Sequence, residues 1–162
     1  MKLEEAERFA SRVVEVVLPL CERVRVAGSI RRQRPEPRDL DIVMIAKPLM
    51  FPGAIINALK KRFNSVEVIR QGPEISSVKV EGVNVDFYNA TKRTWGVLLL
   101  VRTGSIEHNI KMCKRALSMG MMLSSAQGVL RNGKVIASET EQEIFEALGM
   151  EFIPPEEREV AP

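Results

Sequence analysis

The sequence predicts an α+β fold, with a first half built mostly of strands and a second half richer in helices. Up to about residue 90, short apolar runs and alternating stretches dominate, as strands require. Beyond residue 94 the apolar spacing changes to that of helices. No apolar run approaches the roughly 20 residues that a membrane-spanning helix needs, so we expect no membrane partner.

The first half is predicted to open with an amphipathic helix, because apolar residues recur at helical spacing from Ala6 to Leu20. A strand that ends at Gly28 follows, and DLDIVMIA is the second strand. The helix AIINALKKRF then leads to three strands, SVEVIRQG, ISSVKVEG and VNVDFYNA. The last two strands flank the turn residues Glu81 and Gly82, which predicts a hairpin.

The second half is predicted to contain three helices and a small sheet. WGVLLLVRTG is a buried helix that ends at Gly104, and Trp95 belongs to the core. Ser105 caps the next helix, which stops before Gly120. Short strands follow, and the capping-box sequence that begins at Thr140 opens the last helix.

Charge is distributed unevenly, although the net charge is only +3. Residues 23–38 carry six arginines and one glutamate, and residues 107–134 form a second basic zone. Residues 136–162 carry eight glutamates and one arginine, and the tail FIPPEEREVAP within them should adhere loosely. Two basic zones and an acidic end indicate a polyanionic partner, although charge alone fits solvated surface equally well.

The two cysteines and the single histidine argue against a disulfide scaffold and a structural zinc site. The acidic N-terminus, MKLEEAERFA, lacks an apolar signal core. We therefore expect a cytoplasmic protein with reduced thiols. The histidine, His108, lies in the first turn of a predicted helix, where a surface or capping position is expected.

Two aspartates, Asp39 and Asp41, stand at the start of an otherwise apolar strand, where ionised carboxylates are costly unless a cation meets them. Strand alternation puts both on one face, and it puts Asn84, Asp86 and Tyr88 on one face of VNVDFY. If the two strands are neighbours, three carboxylates converge and raise one another's pKa. A magnesium ion would relieve that repulsion. The alternative is a pair of strand-edge carboxylates neutralised by nearby arginines.

A possible anion site lies directly upstream. Gly28 lets backbone N–H groups approach an anion, and the Ser29 hydroxyl can donate to it. The guanidinium of Arg32 matches phosphate oxygens. Anion-binding residues thus lie close in sequence to cation-binding carboxylates. This indicates a ligand that carries both negative and positive charge, such as a metal-bound phosphate.

A second group of cations lies on the helix after Gly104. Its polar side carries Lys111, Lys114 and Arg115, for which contact with a nucleic-acid backbone is favoured over simple solvation. The apolar side of this helix is predicted to include Ile110, Cys113 and Leu117. Because the carboxylates and these cations belong to different halves, we expect a cleft between the halves.

In this order, the motifs resemble those of the nucleotidyltransferase superfamily, and specifically of family X DNA polymerases. GSIRR resembles the family's GS-x-RR, DLDIV its D-x-D strand and VNVDFY its third-aspartate strand. WGVLLLVRTGSIEHN resembles its helix–TGS–helix segment, and SETEQEIFEALGMEFIPPEERE its thumb ending. The resemblance implies a minimal form: a palm with a mixed β-sheet and flanking helices at residues 1–92, and a small α+β thumb at residues 93–162.

The resemblance also implies residue roles. Asp39, Asp41 and Asp86 would be catalytic and would hold two Mg²⁺ ions, for which Mn²⁺ would substitute. The residues implied to bind the nucleotide are Gly28, Ser29, Arg32, Arg38, Arg102, Gly104, Ser105 and Asn109. DNA would be bound by Lys111, Lys114 and Arg115. The implied reaction is in-line attack of a primer 3′-OH on the α-phosphate of a dNTP, with release of pyrophosphate.

The implied partners are a nucleoside triphosphate and primer-template or gapped DNA, bound by a monomer in gap filling or repair. Val101 and Arg102 replace an aromatic pair that the family usually has, so the choice between deoxy and ribo sugars stays open. The alternatives are a template-independent terminal nucleotidyltransferase and a non-catalytic nucleic-acid-binding module. A transferase that attaches a nucleotide to a small-molecule hydroxyl is a further alternative.

Overall fold

The computed structural model describes residues 1–50 and 53–159, and it has the predicted α+β fold. The helices are α1 (Leu3–Val17), α2 (Gly28–Arg31), α3 (Ala54–Arg62), α4 (Trp95–Thr103), α5 (Ile106–Ser118) and α6 (Glu141–Ala147). The strands are β1 (Cys21–Val26), β2 (Leu40–Ala46), β3 (Val66–Gln71), β4 (Ile75–Val80), β5 (Val83–Asn89), β6 (Met122–Ser124), β7 (Gly128–Arg131) and β8 (Lys134–Ala137). Within the described ranges, no helix is long and apolar enough to cross a membrane.

The first half is organised around a mixed five-stranded sheet with the order β1-β2-β5-β4-β3. β2 and β5 run parallel, whereas the other neighbouring pairs are antiparallel. The chain leaves β2 through α3 and the β3–β4 pair before it returns as β5. The predicted hairpin between β4 and β5 is confirmed, and so is the expectation that the two aspartate-bearing strands are neighbours.

Two cores cover the two faces of this sheet. Leu40, Ile42 and Phe87 pack with α1 and α3 on one face. On the other face, Val43 and Tyr88 pack with residues of α4, including the buried Trp95. This division follows from strand alternation, which sends neighbouring residues of β2 to opposite sides. Helix α4 therefore belongs to both halves of the molecule.

The second half surrounds a separate core. A three-stranded sheet, β6-β7-β8, packs with α4, α5 and α6 around Leu100, Met112 and Phe145. Gly96 permits the closest approach of α4 to α6, because a Cβ there would lie 2.4 Å from the backbone of Thr140. Thr140 caps α6 as predicted, since its hydroxyl accepts from the N–H of Glu143 at 3.1 Å.

Helix α5 buries a different side from the expected one. Ile110 is 49% exposed and Leu117 is 66% exposed, whereas His108, Met112 and Ala116 are buried. Both sets of residues recur at helical spacing, so periodicity alone does not distinguish them. The packing of α5 against the second core selects the set that includes His108.

The expectation that His108 lies at the surface or acts as a cap is wrong. Its side chain is fully buried, and its ring lies 6.1 Å from that of Phe145 between centroids. Neither ring nitrogen has a hydrogen-bond partner among the described residues. Burial, followed by the positive charge of Arg158, lowers the pKa of His108 from 6.5 to about 4.

This lowered pKa predicts a loss of stability in acid. Between pH 6.5 and 4 the unfolded state takes up a proton that the folded state does not, so the contribution of His108 is complete above pH 6.5 and falls as the pH is lowered. We expect a loss of up to about 3 kcal/mol across this window. Denaturant unfolding of the native chain and of His108→Leu at several pH values measures it. Since His108 is the only histidine, equal pH slopes for the two proteins would contradict the prediction.

A buried ion network joins the two halves. The carboxylate of Glu141 accepts two hydrogen bonds from Arg31, at 2.6 and 2.9 Å, and one from Arg158 at 2.6 Å. Glu141 is 7% exposed and Arg158 is fully buried. Burial raises the pKa of Glu141, but the hydrogen bonds from Arg31 and Arg158 outweigh it and hold the pKa below its usual value. The expectation of a loosely adhering tail is therefore wrong at Arg158.

We expect Glu141→Gln to destabilise the fold by about 3 kcal/mol, because it leaves two buried guanidinium groups without a counter-charge. Glu143→Gln is the matched control, since Glu143 is an exposed glutamate on the same helix. Denaturant unfolding of both variants makes the comparison. A loss at Glu141 no larger than that at Glu143 would contradict the network's role.

Candidate active site

The chain contains three aspartates, and they lie close together at the β2–β5 pair of the sheet. The parallel register of β2 and β5 pairs Asp41 with Asp86. Neighbouring strands are about 4.8 Å apart, so the two residues are in adjacent positions. Asp39 is exposed and stands directly before β2, two residues from Asp41. The structure thus brings together the carboxylates that the sequence pattern grouped.

The electrostatics of Asp41 reflect this proximity. Burial, together with the charges of Asp86 and Asp39, raises the pKa of Asp41 from 3.8 to about 6, against the opposing effects of the Tyr88 hydrogen bond and the charge of Arg102. Repulsion between these carboxylates is the effect that the sequence predicted. A cation that binds beside such a carboxyl group stabilises its ionised form.

Hydroxyl groups hold two of the carboxylates. The Tyr88 hydroxyl donates to Oδ1 of Asp41 at 3.3 Å, and the Ser77 hydroxyl donates to Oδ1 of Asp86 at 2.5 Å. Burial, with the charges of Asp41 and Asp86, raises the pKa of Tyr88 to about 12, so this residue stays a donor at neutral pH. Sequence analysis missed Ser77. Its signal is the adjacent polar pair Ser76-Ser77 in the strand that precedes the Asp86 strand.

Gly28 is required where it stands because of Asp41. Its φ of +61° lies in the left-handed region, and a Cβ would lie 2.0 Å from Oδ2 of Asp41. Gly28 opens the short helix α2. The glycine therefore makes room for a carboxylate, a function that the sequence pattern did not indicate.

The oxygen ligands suit a hard divalent cation such as Mg²⁺. Nevertheless, within residues 1–50 and 53–159, no group of three or more His, Cys, Asp and Glu side chains is arranged so that it could hold a metal ion. Asp41 and Asp86 instead point at hydroxyl donors. The chemistry of the donor set and the strand register fit a cation, whereas the three carboxylates are not placed here as the ligands of one shared ion.

A cleft of about 960 Å³ separates the halves at this point. It is lined by Asp39 and Asp41 and by all eight residues for which nucleotide binding was predicted, which are Gly28, Ser29, Arg32, Arg38, Arg102, Gly104, Ser105 and Asn109. Asp86 is not among the lining residues. A cavity of about 590 Å³ on the α3 side of the sheet, lined in part by Met44 and Phe87, contains none of the predicted site residues.

Several of the lining residues already have partners within the chain. Arg32 donates from Nη1 to the carbonyl of Thr103 at 2.5 Å. The hydroxyl of Ser105 donates to the carbonyl of Arg158 at 2.7 Å and caps α5. Asn109 donates to the carbonyl of Val101 at 2.9 Å. These three residues therefore have structural roles besides any contact with a ligand.

Arg102 stacks on the residue that holds Asp41. Its guanidinium carbon lies 4.3 Å from the centroid of the Tyr88 ring. Its buried Nε has no hydrogen-bond partner among the described residues. A positive charge thus lies close to the carboxylates while one of its donors stays free.

The three cations of α5 are all exposed, as contact with a large anion requires. They differ in one respect: Arg115 also donates from Nε to the carbonyl of Leu148 at 2.9 Å and so supports the end of α6. Arg115 therefore has a structural role besides any contact with DNA.

Comparison with known proteins shows what the chain is similar to. Residues 98–159 match the DNA polymerase beta thumb family. The chain is 33% identical over 138 residues to the DNA polymerase/3′-5′ exonuclease PolX of Bacillus subtilis (strain 168), and this match covers 82% of the chain and 24% of the length of that relative. The two matches support a family X polymerase-like protein.

Solved structures show the same fold for this polymerase-like chain. Leishmania infantum polymerase beta, in a ternary P/T complex and in a ternary gap complex, matches with TM-scores of 0.80 and 0.81. Each match covers 99% of this chain, and the chain covers 77% and 71% of the two relatives, with 20% and 21% identity. The thumb match lies inside the predicted range 93–162, and the division of the chain at residue 92 stays a prediction.

We expect Gly28→Ala to cost more stability than its backbone conformation alone explains. Gly120→Ala is the matched control, because Gly120 has a φ of +72° and nothing within 4 Å of its Cβ position. Both variants lose about 1 kcal/mol for the left-handed conformation. Gly28→Ala should lose about 1–3 kcal/mol more by displacing Asp41. Denaturant unfolding compares them, and equal losses would show that the carboxylate is not confined by the glycine.

Proposed function

We propose that the chain is a DNA-directed DNA polymerase of family X that adds dNTPs to a primer 3′-OH in gap filling or repair. The observation that carries this proposal is the parallel register that sets Asp41 opposite Asp86 beside an arginine-lined cleft. A nucleotidyl transfer needs carboxylates for metal ions and cations for the triphosphate in one place. The cleft offers both.

In this proposal Asp39, Asp41 and Asp86 hold two Mg²⁺ ions, for which Mn²⁺ can substitute. When bound, such ions lower the pKa of the attacking hydroxyl and neutralise charge on the phosphate. The chain's own part is to orient the carboxylates. Tyr88 and Ser77 donate to two of them, and Gly28 leaves space for Asp41.

The nucleotide's phosphates meet the arginine side of the cleft. Ser29, Arg32 and Arg38 line it from the first half, and Arg102 lines it from the second. Guanidinium groups bind phosphate oxygens in a fixed fork, which positions the α-phosphate for in-line attack. Gly104 lies at the same wall, and its ideal Cβ position is 3.1 Å from Nη1 of Arg32.

DNA is the proposed polyanionic partner. Lys111 and Lys114 are exposed on α5, which begins at the cleft. The two structural relatives are a ternary P/T complex and a ternary gap complex, which supports primer-template or gapped DNA as the partner here. Binding through phosphates should weaken as salt is raised.

Template-independent addition of nucleotides is the second candidate, and the apolar surface of α5 favours it. Ile106 is 74% exposed and Ile110 is 49% exposed on the turns of α5 nearest the cleft. Apolar side chains pack against any base and form no hydrogen bonds that read its identity. If the template strand is bound weakly, the residues of the cleft alone determine which nucleotide is added.

Primer extension across a one-nucleotide gap tests the proposal, with each dNTP and NTP supplied separately in Mg²⁺ or Mn²⁺. We expect incorporation of the nucleotide complementary to the template, and a loss of at least about 100-fold in Asp86→Asn. Glu67→Gln, on strand β3 of the same sheet, is the control that should keep native activity.

The outcomes distinguish templated polymerisation from template-independent transfer. Equal use of all four nucleotides on one template would favour the template-independent transferase. The absence of incorporation under every condition, or full activity in Asp86→Asn, would overturn nucleotidyl transfer at these carboxylates.

A further inference from the structure

A carboxylate of the chain itself is bound by two arginines of the cleft. Oε1 of Glu159 accepts from Nε of Arg32 at 2.5 Å, and Oε2 accepts from Nη1 of Arg34 at 3.0 Å. All three residues line the cleft that contains Asp39 and Asp41. Two guanidinium groups that donate to both oxygens of one carboxylate form a binding site for an oxyanion.

The contact is built into the fold. The residue before Glu159 is Arg158, whose guanidinium is fully buried against Glu141. The carbonyl of Arg158 accepts from the hydroxyl of Ser105 at 2.7 Å. Arg32 is oriented independently, because its Nη1 is hydrogen-bonded to the carbonyl of Thr103. Both sides of the contact are thus positioned by groups other than the ion pair itself.

The contact is also accessible and easily exchanged. The side chains of Arg34 and Glu159 are 53% and 33% exposed, whereas that of Arg32 is 15% exposed. Burial raises the pKa of Glu159, but the hydrogen bond and charge of Arg32, and then those of Arg34, hold the pKa below its usual value. Glu159 is therefore an anion at neutral pH. Ion pairs exposed to this degree contribute little and are screened by salt.

We propose that Arg32 and Arg34 form a phosphate subsite whose resident ligand is Glu159, and that the phosphate chain of a nucleoside triphosphate binds by displacing this carboxylate. The proposal rests on the proposed function, and it adds Arg34 and Glu159 to the residues that govern nucleotide binding. A triphosphate carries more charge and more acceptor oxygens than a carboxylate, so it can replace Glu159 and still reach Ser29 and Arg38 in the same cleft.

This arrangement makes Glu159 an intramolecular competitor. Because it is tethered beside the arginines, its effective concentration there is high, and every incoming phosphate has to overcome it. The carboxylate also neutralises the two arginines while the subsite is empty. Removal of the charge of Glu159 should therefore increase the affinity for a phosphate chain.

Calorimetric titration with inorganic tripolyphosphate at low salt, without DNA, tests this directly. We expect Glu159→Gln to bind about three- to ten-fold more tightly than the native chain. Arg34→Gln should bind at least about three-fold more weakly. Glu157→Gln is the matched control, since it changes the net charge equally and lies two residues away on the same exposed segment. It should bind with native affinity.

Unchanged affinity in Glu159→Gln, or equal tightening in Glu157→Gln, would overturn the displacement. Unchanged affinity in Arg34→Gln would remove Arg34 from the subsite, and no binding of tripolyphosphate by the native chain or by Glu159→Gln would remove the subsite altogether. The titration needs neither DNA nor turnover, so its outcome is separate from that of primer extension. Active extension combined with unchanged affinity in Glu159→Gln would overturn the displacement and leave the proposed function standing.

Discussion

The buried carboxylate of Glu141 is the constraint on which the rest of the molecule depends. Glu141 accepts hydrogen bonds from Arg31 of α2, the helix that begins at Gly28, and from Arg158 of the C-terminal segment, and it stands itself at the start of α6. Three segments distant in sequence are thus fixed at one point. The walls of the cleft, and the tail that reaches into it, take their positions from this contact.

Glu141, which is buried, and Asp41, which is partly buried, have opposite electrostatic surroundings. Glu141 is matched by two guanidinium groups, and its pKa is held down despite burial. Asp41 faces two other carboxylates, and burial together with their charges raises its pKa to about 6. The first arrangement stabilises the fold, whereas the second leaves unfavourable interactions at the cleft. Unrelieved repulsion of this kind is typical of sites that bind a cation or exchange a proton.

Periodicity predicted most of the fold, because the strands and helices that matter alternate or repeat clearly. DLDIVMIA and VNVDFYNA could be placed on neighbouring strands with their aspartates on a common side, and the register bears this out. The buried side of α5 could not be predicted, since Ile110 and Met112 both belong to regular helical stripes. Only the packing of the second core decides between them.

Long-range polar contacts escaped sequence analysis for a related reason. A lone arginine in an acidic tail gives no sign that it will be the largest fully buried side chain, and Glu159 gives none that it will reach Arg32. Such contacts depend on where distant segments meet, which residue spacing does not encode. The partner of Asp86 was closer to prediction, because Ser77 is one of two adjacent polar residues on the strand beside it.

The segment of chain between β2 and β5 differs in function from the two strands that it connects. The paired aspartates depend on the meeting of these two strands and on Ser77 of the neighbouring β4, whereas α3 and β3 carry the chain between them. Such an excursion can be lengthened, shortened or rewritten in evolution while the strands that it joins keep their register. Descendants of this architecture are thus free to acquire new surfaces there without disturbing the aspartates.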